Sequence, residues 1–222
     1  MRPASSTVGG VDFDERAGSW DDDEARAART RVVAEEMRAA LGARTYHRGM
    51  DFGAGTGSLS LLLADRFDEV VLVDTSRGML DVAAGKVAAA GSALTAKVTG
   101  LAVDLTEPGT AASSGLAPVD VVYSLMAMHH VPDAEGLLGA FRDLLAPDGL
   151  VLLADLEAED GSYHAAEHDF DGHHGFERAE LARALGAAGL TVLSHRTVTV
   201  MRRTTDDGPR DYPVFLAVAR RL

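Results

Sequence analysis

The stretch Met50-Asp51-Phe52-Gly53-Ala54-Gly55-Thr56-Gly57 decides how the rest of the chain is read. Residues 46–52 form a short apolar run with strand character and residues 57–66 carry helical spacing, so the glycines fall where a strand turns into a helix. Glycine at such a turn permits positive φ and lets the backbone approach a ligand with no Cβ in the way. One strand further on, Val70-Val71-Leu72-Val73 ends in Asp74, about the spacing at which a carboxylate reaches the two hydroxyls of a bound ribose. Together the two features predict a nucleoside site. Each also has a plainer alternative: a tight turn that binds nothing, and an N-cap for the helix after Asp74. The glycine pattern is G-x-G-x-G, and Ser58 stands where the dinucleotide fingerprint G-x-G-x-x-G has its third glycine.

Outward from this turn, apolar runs at 46–52, 69–74, 96–103, 119–125 and 149–156 alternate with helical segments at 57–66, 76–90, 133–146 and 177–188. The alternation predicts an α/β fold, Rossmann-like and doubly wound, with a mostly parallel seven-stranded sheet. Thr191 to Met201 and Tyr212 to Arg220 are joined by the turn-rich Thr204-Thr205-Asp206-Asp207-Gly208-Pro209 and predict a closing antiparallel hairpin. The expected organisation is one domain over 1–222. It comprises an N-terminal arm or lid (1–20), a leading helix (21–44), a cofactor-binding core (45–156), and a substrate loop with the hairpin (157–222). The acidic run Asp21-Asp22-Asp23-Glu24 is expected to be a helix start in solvent, offsetting the N-terminal dipole.

Composition narrows the chemistry. The chain has 222 residues, no cysteine and a formal net charge of −13. No thiolate site or thiol nucleophile is available, and a surface of that sign repels phosphate backbones, so nucleic acid is not an expected partner. Neither a signal-like start nor an apolar run long enough for a membrane helix is present, so a cytoplasmic protein without a membrane partner is expected, as a monomer or homodimer.

At these motifs the sequence resembles the class I S-adenosylmethionine-dependent methyltransferases, in particular the small single-domain branch related to the ubiquinone/menaquinone methyltransferases. Met50 to Gly57 is similar to the first motif of that family and Val73-Asp74-Thr75-Ser76-Arg77-Gly78-Met79-Leu80 to its acidic second motif. Val103-Asp104-Leu105 resembles the third, and Asp120 through Asp133, containing Ser124-Leu125-Met126-Ala127-Met128-His129-His130, the fourth. Leu144 to Leu150 is similar to the turn into strand five, with Asp148 where glycine is more usual. The resemblance implies S-adenosyl-L-methionine as cofactor. It places Gly53, Gly55 and Gly57 at the amino-acid end and Asp74 at the ribose, with Asp51, Ala54 and Thr75 also among the cofactor-binding residues. Met79, Asp104 and Leu105 would lie at the adenine, and Ser124, Leu125 and Met126 along the sulfonium side. Asp104 has the alternative role of a helix cap, and Trp20 is either part of a lid over the cofactor or an anchor for the first helix.

The histidines are the candidate catalytic groups. His129 and His130 follow strand four on the ligand-binding rim, while His164, His168, His173 and His174 lie in the segment after strand five, where similar enzymes build their acceptor pocket. His129, His130, His173 and His174 are the candidates to remove or orient a proton of the acceptor. His164 and His168 at i, i+4, completed by Asp169 or His173, could chelate a metal, but no residue is assigned as a metal ligand. His47 and His195 are read as structural. The expected reaction is methyl transfer to an O, N or S nucleophile of a small-molecule acceptor. The alternatives are a protein or peptide acceptor, a nicotinamide-dependent dehydrogenase, and a non-catalytic cofactor-binding protein.

Overall fold

The computed structural model describes residues 7–8, 11–107, 109–116, 118–165, 167, 170–205 and 208–222. Among these, seven strands form one sheet: β1 (Tyr46–Phe52), β2 (Phe67–Asp74), β3 (Val98–Ala102), β4 (Val119–Leu125), β5 (Leu145–Leu156), β6 (Leu190–Thr205) and β7 (Gly208–Arg221). They lie in the order β3-β2-β1-β4-β5-β7-β6. Strands β1 to β5 are parallel, and β7 is antiparallel to both β5 and β6. This is the doubly wound α/β sheet with a terminal hairpin that the sequence predicts. The strand order reverses between β1 and β4, and an open sheet of this kind holds ligands at such a reversal, beyond the carboxyl ends of its strands.

The helices are α1 (Phe13–Arg16), α2 (Glu24–Leu41), α3 (Ser58–Leu63), α4 (Arg77–Ala89), α5 (Ala134–Leu144) and α6 (Arg178–Ala187), with shorter single-turn segments between them. Side chains alternate across a strand, so β2 feeds both faces: Val70 and Leu72 join one buried cluster with residues of α2, α3 and α4, and Val71 and Val73 join another with α5 and α6. A strand covered on both sides needs no polar alternation, which is why β2 reads as an unbroken apolar run. Among the described residues no helix is long and apolar enough to cross a membrane.

Helix α5 shows how local sequence sets an element. Asp133 caps it by accepting from the Gly136 N–H at 2.9 Å, and Leu137, Leu138, Phe141 and Leu144 form its buried stripe. The helix is shorter than the expected 133–146. Leu145 is already extended, with φ −71° and ψ 140°, and Pro147 two residues on cannot continue a helix. Strand β5 therefore starts at Leu145 rather than 149, and Asp148 takes φ 62° in the turn that usually holds glycine.

The leading helix is also trimmed. Ala17–Asp22 is a 3₁₀ turn, Asp23 caps α2 through the Arg26 N–H at 2.9 Å, and Gly42 at φ 69° ends it. The hairpin strands run further than expected, to Thr205 and from Gly208, and Asp206 and Asp207 of the expected turn lie outside the described residues.

Phe141 is fully buried, with its ring edge-on to Phe52 at 5.1 Å between centroids, and so joins α5 to the end of β1. Phe141→Ala is expected to lower unfolding free energy by about 3–5 kcal/mol. Urea denaturation measures this, and a loss under about 1 kcal/mol would mean that the helix is not docked as described.

Candidate functional site

The glycine turn follows β1 directly. Gly53, Gly55 and Gly57 have φ of 64°, 52° and 73°. The N–H groups of Gly53 and Ala54 donate to the Val73 carbonyl at 2.9 and 3.1 Å, which ties the turn to β2. A Cβ on Gly53 would overlap the Cβ of Ala127, so that backbone position admits no side chain. Gly57 serves packing instead: a Cβ there would stand 3.2 Å from Ala83 and 3.3 Å from Leu72. At the end of β2, Asp74 accepts from the Gly55 N–H at 2.7 Å with one oxygen and from the Ser76 N–H at 2.9 Å with the other. Burial raises its carboxyl above the ordinary value, and these N–H groups partly offset the rise.

A cavity of about 870 Å³ opens at this reversal point. Of the residues expected at a cofactor, Asp51, Gly53, Ala54, Gly55, Asp74 and Thr75 line it from the turn side. Met79, Asp104, Leu125, Met126 and Trp20 line the remainder. Gly57, Leu105 and Ser124 are not on its wall. Leu105 is buried in the core, and the Ser124 hydroxyl donates to the Phe52 carbonyl at 2.9 Å, bracing β4 against β1. Asp104 reaches the wall but caps no helix: it closes a turn, accepting from the Thr106 N–H at 2.9 Å and the Thr106 hydroxyl at 2.6 Å.

Two features mark the wall as specialised. Asp51 is 1% exposed, and burial pushes its carboxyl up to about 7 despite a 2.7 Å hydrogen bond from Ser60 Oγ, which also meets the Tyr123 hydroxyl at 2.7 Å. Nearby Asp74 adds repulsion. Met126 has φ 56°, an uncommon conformation for a side-chain-bearing residue, held by its N–H donating to the Ala154 carbonyl at 2.8 Å.

The N-terminal arm closes one side. Asp14 accepts from Ser76 Oγ at 2.6 Å and the Gly78 N–H at 2.7 Å, which seats α1 on the first turn of α4. Asp21 departs from the expected solvated helix start. Its carboxylate accepts from Thr56 Oγ1 at 2.8 Å, Ser58 Oγ at 3.1 Å and Lys86 Nζ at 2.8 Å. Burial raises the Asp21 carboxyl, but Lys86, Thr56 and Ser58 together hold it below the ordinary range. Trp20 is thereby laid over the turn, with its Nε1 3.8 Å from where a Gly55 Cβ would be. It also stacks under Arg26 of α2 at 3.9 Å and meets Phe13 edge-on, so it contacts both the turn and the leading helix.

The four candidate histidines separate. His130 lines the cavity and is held neutral, its pKa lowered to about 3 by burial and by repulsion from His129. His129 is 1% exposed, and its Nδ1 meets Asp155 Oδ1 at 2.5 Å. His173 sits behind it, donating its backbone N–H to the His129 carbonyl at 2.7 Å, and its ring Nε2 lies 3.2 Å from the Pro132 carbonyl. His174 is exposed, with Nδ1 3.5 Å from Glu159. His129 is off the wall, tied to Asp155, and His173 and His174 are off it because the segment after β5 folds back on β5 through Phe176 N–H to Leu156 O at 2.9 Å and Glu159 N–H to His174 O at 2.9 Å. His168 and Asp169 lie outside the described residues. His47 is exposed beside Asp68, and His195 packs on Phe215. The sequence does not reveal the roles of Asp21 and Asp155, and it groups His164 with His168 rather than with His129 and His130. Asp155 carried a signal, being an acid within the apolar run Leu150–Leu156.

Asp21→Ala should release the arm. The Asp21–Lys86 pair is partly exposed, at 43% and 28% of its side chains, so the loss is set at about 1 kcal/mol. Amide hydrogen exchange over residues 13–20 is expected to quicken about fivefold, and unchanged exchange would deny that Asp21 holds the arm. Because its folded pKa lies below 3.8, docking is at full strength above that pH and is lost as pH falls through the depressed value.

Comparison with known proteins places this geometry. A family described as a methyltransferase domain matches residues 21–195. A ubiquinone biosynthesis O-methyltransferase of Ruegeria pomeroyi is 32% identical over 142 residues, covering 62% of this chain and 53% of the relative. An uncharacterised methyltransferase of Geobacillus kaustophilus is 31% identical over 113 residues, 50% of this chain and 47% of the relative. The chain therefore spans about half the length of the curated relatives it matches. Among solved structures, magnesium protoporphyrin IX methyltransferase of Synechocystis, crystallised with S-adenosylmethionine, superposes with TM-score 0.61 at 19% identity. That match covers 98% of this chain and 88% of the other. A chain from the Haloferax volcanii complex of the Trm112 methyltransferase activator with its methyltransferase gives TM-score 0.74 at 20% identity, over 97% and 99% of the two chains. Likeness at these identities shows the fold, while the domain match over most of the sequence shows the family: this chain belongs to the methyltransferase domain family.

Proposed function

We propose that the cavity binds S-adenosylmethionine and that the protein transfers the methyl group to an oxygen, nitrogen or sulfur of a small-molecule acceptor. The observation that carries this reading is the convergence on one cavity of a glycine-rich turn and two carboxylates, the buried Asp51 and the half-buried Asp74. That wall suits a nucleoside bearing positive charge. The Asp74 oxygens accept from the backbone N–H groups of Gly55, Ser76 and Thr75 and keep lone-pair capacity for a ribose hydroxyl. A cationic amine beside Asp51 would favour its ionised form against the burial that now opposes it. When bound, the cofactor supplies a methyl already activated on a sulfonium.

The protein's own part is then mainly positioning and exclusion of water. Orientation of reactants can contribute about 7–11 kcal/mol, more than the roughly 3–5 kcal/mol of a positioned base. Trp20 and Phe13 close the arm side, and Phe13 meets the His130 ring edge-on at 5.7 Å between centroids. Neutral His130 orients the acceptor by hydrogen bonding. His129, held by Asp155, positions His130 through their ring contact at 4.2 Å. The net charge of −13 favours a metabolite over a nucleic acid. Family membership gives the nicotinamide-dependent reading no support.

Calorimetry with S-adenosylmethionine and label transfer from its methyl group to a panel of small alcohols, amines and thiols test this reading. Asp74→Ala removes two hydrogen bonds to a charged acceptor, and at about 1.5 kcal/mol each the affinity is expected to fall by roughly 100-fold. His130→Ala should leave that affinity within about twofold while slowing turnover tenfold or more. Normal cofactor affinity in Asp74→Ala would reject the site, and transfer to proteins but to no small molecule would reject the acceptor class.

A further inference from the structure

We propose that His129, His130 and His164 form a three-histidine site for a divalent transition-metal ion of zinc type, at the edge of the cavity. One ring nitrogen from each lies within 4.8 Å of one from each of the others. The ring centroids stand 4.2, 5.1 and 5.4 Å apart. With nitrogens about 2 Å from a tetrahedral ion, ligand nitrogens would be about 3.3 Å apart and ring centroids roughly 5 Å apart. The three rings already stand near that spacing, and small rotations would complete it.

Two further observations point to a ligand. The Nδ1 atoms of His130 and His164 are buried without a hydrogen-bond partner, and an orphaned buried polar atom needs a reason. His164 is 4% exposed and its ring is locked flat against Phe170 at 3.8 Å, so it cannot turn freely to water. Beside them, Asp155 engages Nδ1 of His129 at 2.5 Å and the Leu156 N–H at 2.8 Å. A carboxylate on one ring nitrogen fixes the tautomer and leaves the other nitrogen as a better donor, the arrangement found behind metal-bound histidines. Imidazole donors with no thiolate suit zinc, nickel, cobalt or iron and not magnesium or calcium.

Three protein ligands leave a fourth position open, as in catalytic zinc sites. His130 lines the cavity, so an ion here would sit where it could bind an acceptor hydroxyl and lower its pKa. That role rests on the methyltransferase reading, whereas ion binding does not. A second set, Glu159, His164 and His174, shares His164 but opens outward through the exposed His174, and we place the ion on the inner set.

Untagged protein stripped with a chelator and titrated with Co²⁺ tests the site. One equivalent should bind with visible ligand-field bands, and Zn²⁺ should displace it. His164→Gln should weaken binding at least 100-fold, Asp155→Asn about 10–100-fold, and His174→Ala less than twofold. X-ray absorption of the zinc-loaded unmodified protein needs no variant and should show three imidazoles. No saturable uptake, fewer than three imidazoles, or loss of binding in His174→Ala would overturn the proposal. None of these results depends on methyl transfer, so failure here would be distinguishable from failure of the cofactor reading, which calorimetry with S-adenosylmethionine decides.

Discussion

A loop with glycine at alternate positions can lie close to a ligand only if something else holds its shape, and here the Asp74 carboxylate does so through the Gly55 N–H. The Val73 carbonyl takes the two N–H groups just before it. Strand β2 thus carries both the clamp and the acid, and β1 carries the turn that is clamped. Each depends on the parallel pairing of Phe52 with Val73, and that pairing depends on burying both faces of the sheet. A half-buried carboxylate loses hydration, and the N–H groups around Asp74 partly replace it. The turn and the acid therefore stabilise one another.

The same economy of donors appears in the arm. Asp14 completes the N-terminus of α4, whose free N–H groups would otherwise face solvent, and Asp21 bridges the turn to Lys86. Both contacts are polar and partly wet, so they hold the arm less firmly than apolar burial would. An entrance closed by such contacts can open without disturbing the sheet. The cavity floor is built from sheet backbone, and its cover is held by side-chain contacts.

How much of this was legible in the sequence follows from range. The turn and Asp74 could be read because their meaning is local: glycine where φ must be positive, and an acid at the end of an apolar run. The burial stripe of α5 was likewise visible in its spacing, but its end was misplaced, although Pro147 marked it. The function of Asp21 was not visible, since an acid near a helix start has a sufficient local explanation and its partners lie 35 and more residues away. The histidines were harder still. Adjacent His129 and His130 diverge, one locked to Asp155 and the other on the cavity wall, and nothing in the dipeptide distinguishes them. His164 joins them only because the segment after β5 folds back.

The hairpin has a consequence of its own. Strand β7 pairs with β5 only from Val214 to Arg220, yet β6 and β7 remain paired out to Thr205 and Gly208. The outer part is a two-stranded ribbon that overhangs the sheet. Arg203 on it lies over the Tyr163 ring at 3.6 Å, and Arg210 reaches Asp160. The ribbon thus grips the segment that carries His164 while leaving the glycine turn alone. Lengthening, shortening or twisting that ribbon would move the segment that carries His164 and spare the glycine turn, so the two can vary independently.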